Sequence, residues 1–113
     1  MTILIADQDK RFRTVVKRLL QMGGNVERVW EASDGEEAVK LARELEPDLV
    51  LMEISLPKLN GLEATEMIKK VFPSAQVIIF TPHANQEYRN AALRSGANAV
   101  FPKSASWTGV EVH

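Results

Sequence analysis

Hydrophobic positions along the chain follow two spacings in alternation. Near-continuous apolar runs occupy residues 3–6, 49–52, 75–80 and 98–101. Each is too short for a helix core, and most are rich in branched side chains. That is how a parallel strand covered on both faces reads. Residues 26–32 alternate more loosely and carry Glu27, Arg28 and Glu31, which predicts a strand at a sheet edge. Between the runs, apolar residues recur at three- and four-residue intervals. Phe12, Val15, Val16, Leu19 and Leu20 mark the first such stretch, with Lys10, Arg11, Arg13, Lys17 and Arg18 on its other positions. That is an amphipathic helix with a basic outer face, ended by Gly23-Gly24.

The remaining helices carry their own start and stop signals. Ser33-Asp34-Gly35-Glu36 has the form of a capping box, and the helix it starts is expected to bury Ala38, Leu41, Ala42 and Leu45. Pro47 blocks its continuation. Asn60 with Glu63 starts a third helix, expected to bury Ala64, Met67, Ile68 and Val71 before Pro73. A fourth uses Tyr88, Ala91 and Ala92 and stops at Gly96. Strand and helix therefore alternate throughout. The pattern predicts a doubly wound α/β fold, a parallel sheet with right-handed crossovers and helices on both faces. Residues 104–113 show no clear period and no convincing fifth helix. The expected division is one domain over residues 1–104 and an irregular tail over 105–113.

Composition narrows this picture slightly. At 113 residues and 45% hydrophobic, the chain is long and apolar enough for one core. A formal charge of -1 argues against a domain built to hold nucleic acid. There is no cysteine, so disulfide and thiolate chemistry are excluded. The first residues lack the basic flank and length of a signal peptide or membrane span, which favours a cytoplasmic protein. His83 and His113 have no ligand-spaced partners and are assigned to no metal. Tyr88 and Trp107 read as packing residues.

Candidate chemistry lies where the predicted strands run out. Asp7, Glu53, Thr81 and Lys103 follow the first, third, fourth and fifth runs. In an open parallel sheet, neighbouring carboxyl ends share one crevice. An acid pair there suits a hard cation, and a hydroxyl with an ammonium suits a phosphoryl group. Taken singly, each residue also fits the ordinary need of a strand to become polar as it leaves the core.

Several motifs go further. They are Leu4-Ile5-Ala6-Asp7, Ser33-Asp34-Gly35-Glu36-Glu37-Ala38, Pro47-Asp48-Leu49-Val50-Leu51-Met52, Leu56-Pro57 with Asn60-Gly61, Val77-Ile78-Ile79-Phe80-Thr81, and Gly96-Ala97 leading to Lys103. Through them the chain resembles a response-regulator receiver domain, the phospho-accepting module of two-component phosphorelay signalling. The resemblance runs from Ile3 to about Lys103. It implies a flavodoxin-like fold, a five-stranded parallel sheet in the order 2-1-3-4-5, here with the fifth helix short or absent. It also implies a signalling module and not an enzyme. Its partner would be a protein: a histidine kinase, a phosphotransferase or an effector domain. A homodimer through the helix-four/strand-five edge is a further arrangement it implies.

The chain departs from the family at the phosphorylation machinery. The phospho-accepting aspartate is replaced by Glu53, whose carboxylate stands one methylene, about 1.5 Å, further out. A misplacement of about 1 Å can cost on the order of a hundredfold in rate. In the family an acidic pair follows the first strand. Asp7 matches its first member and Gln8 replaces the second, which is a direct metal ligand. The third ligand would be the backbone carbonyl of Ser55. Mg2+ prefers carboxylates, so the expectation is no cofactor or a weakly bound Mg2+, at Asp7, Gln8, Glu53 and Ser55. Asp9 is a candidate to replace Gln8 if it turns inward.

Thr81 and Lys103 match the switch hydroxyl and the phosphoryl-contacting lysine. Val100 stands at the switch aromatic position. Phe101 is expected on the opposite face, since side chains alternate. Ser104, where many members have proline, argues against a cis peptide after Lys103.

Three functions follow as expectations. The first is an atypical receiver acting by protein contact, with Glu53 imitating a phosphorylated aspartate beside Lys103. The second is an ordinary Mg2+-dependent receiver that accepts a phosphoryl group on Glu53 or a nearby acid. The third is a flavodoxin-like small-ligand binder. Against the third, Asp7-Gln8-Asp9-Lys10 stands where a glycine-rich phosphate loop would be needed.

Overall fold

The computed structural model describes residues 1–82 and 85–103. Five strands alternate with four helices: β1 (Thr2–Ala6), α1 (Lys10–Met22), β2 (Arg28–Ala32), α2 (Gly35–Leu45), β3 (Leu49–Glu53), α3 (Gly61–Val71), β4 (Gln76–Thr81), α4 (Gln86–Arg94) and β5 (Ala99–Pro102). All pairings are parallel, in the order β2-β1-β3-β4-β5. The predicted fold class and strand order are therefore observed, with β2 at an edge. The expected tail over residues 105–113, the boundary at 104, the fifth helix and the peptide after Lys103 lie outside the described residues. So do His83, Trp107 and His113.

Register is set at the strand starts. The amide and hydroxyl of Thr2 donate to Asp48 Oδ2 at 2.7 and 3.1 Å, and the Asp48 amide donates to the Thr2 carbonyl at 3.0 Å. This brings Ile3 opposite Leu49 and Ala6 opposite Met52. From there the two-residue period of a strand sorts the side chains. Leu4, Ala6, Val50, Met52, Val77, Ile79 and Val100 join one core cluster with Ala38, Ala42, Ala64, Ile68 and Ala92 of α2, α3 and α4. Ile3, Ile5, Leu51 and Phe80 join a smaller cluster with Phe12 and Val16 of α1.

The helix faces differ in part from expectation. Phe12 and Val16 are buried, but Val15 and Leu19 are exposed. They lie on the neighbouring stripe of α1, which no described element covers. Met67 and Val71 are likewise exposed, because Gly61, Ala64, Thr65 and Ile68 form the inward stripe of α3. In α2 the inward stripe is Gly35, Ala38, Val39 and Ala42, leaving Leu41 and Leu45 half-buried. Tyr88 is an exposed surface residue, while Ala92 is the buried residue of α4.

The caps follow local chemistry. Asn60 caps α3 as predicted, accepting from the Glu63 amide at 2.9 Å. The α2 cap sits one residue later than the Ser33 reading. Asp34 accepts from the Glu37 amide at 2.8 Å, and Glu37 reaches back to the Ser33 amide at 2.8 Å. Gly96 adopts φ 105 just past α4, the left-handed conformation that a helix-ending glycine supplies.

Candidate functional site

The same period that builds the two cores gathers the site. Asp7 continues the Ile3, Ile5 row of β1, and Glu53 continues Leu51 on β3. Lys103 continues Phe101 on β5. All three therefore project on the α1 side, at the carboxyl edge of the sheet. The backbone holds them there. The Asp7 amide donates to the Ala32 carbonyl and the Lys103 amide to the Thr81 carbonyl, at 3.0 and 2.8 Å. Glu53 pairs with Phe80 across β3 and β4.

Lys103 closes the gap between the carboxylates. Its ammonium donates to Asp7 Oδ2 at 2.7 Å and to Glu53 Oε2 at 2.9 Å. Both acids are buried, with Asp7 1% and Glu53 4% exposed. The ammonium also lies 4.2 Å from the ring centroid of Phe12, inside cation–π range. Phe12 is in turn braced edge-on by Phe80, with centroids 6.0 Å apart. Burial acts to lower the Lys103 pKa, but hydrogen bonds and attraction to Asp7 and Glu53 outweigh it. The group is held above its ordinary value. A buried acid pair is costly unless charge is supplied from within the site, and here Lys103 supplies it.

Two loops fix the acids from behind. The Asp9 amide donates to Asp7 Oδ1 at 2.8 Å, and the Ser55 amide to Glu53 Oε1 at 3.3 Å. Gly61 is required where α3 begins, because a Cβ there would stand 2.2 Å from the Glu53 carbonyl oxygen. Gly35 serves the same end. A Cβ on it would stand 1.7 Å from the Leu59 carbonyl oxygen, while its amide donates to the Pro57 carbonyl at 3.2 Å. α2 and the loop after β3 thus pack backbone to backbone.

These contacts bear on a divalent cation. All four carboxylate oxygens of Asp7 and Glu53 already accept a hydrogen bond. Two carboxylates and one ammonium leave a single net negative charge. Gln8 is exposed and neutral. Asp9 does not turn inward to replace it. Its side chain caps α1, accepting from the Arg11 and Phe12 amides at 2.9 and 3.4 Å. Among the described residues, no three His, Cys, Asp or Glu side chains gather around a common point. This donor set is a poor fit for a resident Mg2+, which takes carboxylate and water oxygens in strict octahedral geometry.

Thr81 is fully buried at the end of β4. Its row continues Val77 and Ile79, so it projects on the α4 side with Val100, which is buried. Phe101 faces the other way and is 43% exposed, as alternation predicted. Two further residues were not evident from sequence. Phe12 read as one of five apolar helix positions, with nothing to mark it as the seat of Lys103. Arg13 read as part of a solvated basic face. Instead its Nη1 donates to the Asp7 carbonyl at 2.6 Å and its Nε to Glu31 at 3.0 Å. The strand-two carboxylate Glu31 was the available signal for that link.

Comparison with known proteins agrees with this geometry. The family model described as "Response regulator receiver domain" matches residues 3–108. The chain is 38% identical over 101 residues to the transcriptional regulatory protein DegU of Brevibacillus brevis, covering 89% of this chain but 43% of that protein. It therefore spans less than half of that relative. A two-component response regulator of the LuxR family from Aurantimonas sp. SI85-9A1 superposes with a TM-score of 0.88 at 32% identity, over 98% of this chain and 79% of the other. The receiver domain of the sensor histidine kinase PA1611 from Pseudomonas aeruginosa PAO1 is described with a magnesium ion coordinated in its active-site cleft. It superposes with a TM-score of 0.81 at 31% identity, over 90% of this chain and 84% of that one. Strand order, the site at the strand ends and these matches lead to one conclusion: the chain belongs to the response regulator receiver domain family of two-component signalling.

Proposed function

We propose that this receiver signals by protein contact and not by accepting a phosphoryl group. The observation that carries the reading is Lys103, bound at once by Glu53 and Asp7. A phosphoryl group on a shorter acid would present negative oxygens to this lysine. Glu53 already presents one. Its extra methylene also moves the carboxylate off the line that attack on a phosphodonor requires. The domain is then a constitutive or binding-controlled module. Its partner is a histidine kinase, a phosphotransferase or an effector domain, met in the cytoplasm, with no role for nucleic acid or membrane. A homodimer is part of the proposal, and light scattering tests it. Mg2+ is absent or weakly held.

The second reading is an ordinary Mg2+-dependent phospho-accepting receiver. It is favoured by the magnesium described in the PA1611 receiver domain. Incubation with acetyl phosphate and Mg2+, followed by intact mass, separates the two. Under the proposal the parent gains no mass and Glu53→Asp gains one acid-labile phosphoryl group. A stoichiometric gain in the parent would overturn the proposal.

A further inference from the structure

The Asp7–Glu53 pair is acidic, buried and already served by a cation of the chain's own. We propose that Lys103, seated on the ring of Phe12, is the resident cation of this pocket, and that it holds the carboxylate edges a divalent ion would need. Phe12 is then a positioning residue, acting through Lys103. The inference rests on the Asp7–Lys103–Glu53 arrangement and deepens the reading above by naming what fills its site.

Three contacts account for the ammonium. Two go to carboxylate oxygens, at 2.7 and 2.9 Å, on different strands. The third is the Phe12 ring face at 4.2 Å. Lys103 has a side-chain exposure of 21%, against 1% and 6% for its partners. The cation therefore occupies Asp7 Oδ2 and Glu53 Oε2, and a metal bridging the pair through those oxygens has to displace it. A dication approaching the pair meets an ammonium, which repels it, and must break two charge-assisted hydrogen bonds. The ring limits where the displaced ammonium can go. Phe12 cannot easily yield, since it is buried and braced by Phe80.

The test is calorimetric titration with Mg2+ and with Mn2+, without phosphodonor, on the parent, Lys103→Met, Phe12→Leu and Phe12→Tyr. Lys103→Met is expected to bind at least about tenfold more tightly than the parent, because the repelling charge is gone. Phe12→Leu removes the π-face while keeping an apolar residue of similar shape, and is expected to gain about threefold. Phe12→Tyr restores the ring and should return the parent affinity. A parent that binds either metal as tightly as Lys103→Met overturns the proposal. Unchanged affinity in Phe12→Leu overturns the role given to Phe12, and decides the matter if Lys103→Met does not fold. A parent phosphorylated by acetyl phosphate yet indifferent to Mg2+ would defeat the contact reading and leave this one standing. A parent that holds Mg2+ tightly without gaining a phosphoryl group would do the reverse.

Discussion

One methylene changes what a carboxylate at the end of β3 can touch. Glu53 reaches Lys103 while its other oxygen stays on the Ser55 amide. The ammonium is held above its ordinary pKa because attraction from Asp7 and Glu53 outweighs burial. A raised folded value contributes stability that is complete below the unfolded pKa of about 10.5 and is lost as pH rises through the folded value. The parent should therefore lose stability more steeply above pH ~10.5 than Lys103→Met, measured by denaturant unfolding at each pH. Asp48 gives the opposite case. Hydrogen bonds from the Thr2 amide and hydroxyl lower its pKa against a small opposing effect of burial. Its contribution is present above the ordinary carboxylate value and is lost as pH falls through the lower folded one. Asp48→Asn should flatten the acid limb below pH ~4, and an unchanged limb would contradict the Thr2 contact. Asp7, Glu53 and Lys103 were legible in sequence because each ends an apolar run. Phe12 was not, since an apolar helix residue gives no sign of which charge will rest on it. Asp9 was ambiguous because an acid just beyond Asp7-Gln8 can ligate or cap, and here the first turn of α1 claims it.

At the scale of elements, the site depends on how two helices begin. Asp34 accepts from the Glu37 amide, so Asp34→Ala should cost about 1 kcal/mol of unfolding free energy. Ser33→Ala should cost less than half of that, because Glu37 binds chiefly the Ser33 backbone amide. Equal losses would restore the cap to Ser33. The one-residue shift was hard to read because Ser33 and Asp34 are both good caps, followed three residues later by Glu36 and Glu37. Gly61 is a sharper constraint. Gly61→Ala drives a methyl toward the Glu53 carbonyl and should cost about 1–3 kcal/mol in thermal or denaturant unfolding. The number and order of helices were plain from spacing. Their inward stripes were less so, because helical spacing admits adjacent stripes and the neighbours decide between them. Small residues at Ala38, Ala42 and Ala64 let α2 and α3 approach closely, which leaves Met67 outside.

For the whole molecule, alternation of strand and helix was enough to predict a parallel doubly wound sheet. Strand order required the resemblance, because spacing alone does not say which strands are neighbours. The two faces are unequally covered among the described residues. α2, α3 and α4 pack on one face and α1 on the other, where Val15, Leu19 and Phe101 are exposed. The pocket lies at the edge of that α1 face. There, separate strands deliver two acids and the lysine that neutralises one of their charges. The central claim is that this lysine stays in place, and its ammonium protons report on it directly. In a nitrogen-15 NMR spectrum near neutral pH, Lys103 is predicted to give a slowly exchanging ammonium signal that persists when Mg2+ is added and vanishes in Glu53→Leu/Asp7→Asn. A Lys103 ammonium that exchanges as fast as those of surface lysines, or that is released by Mg2+ in the parent, would contradict the account.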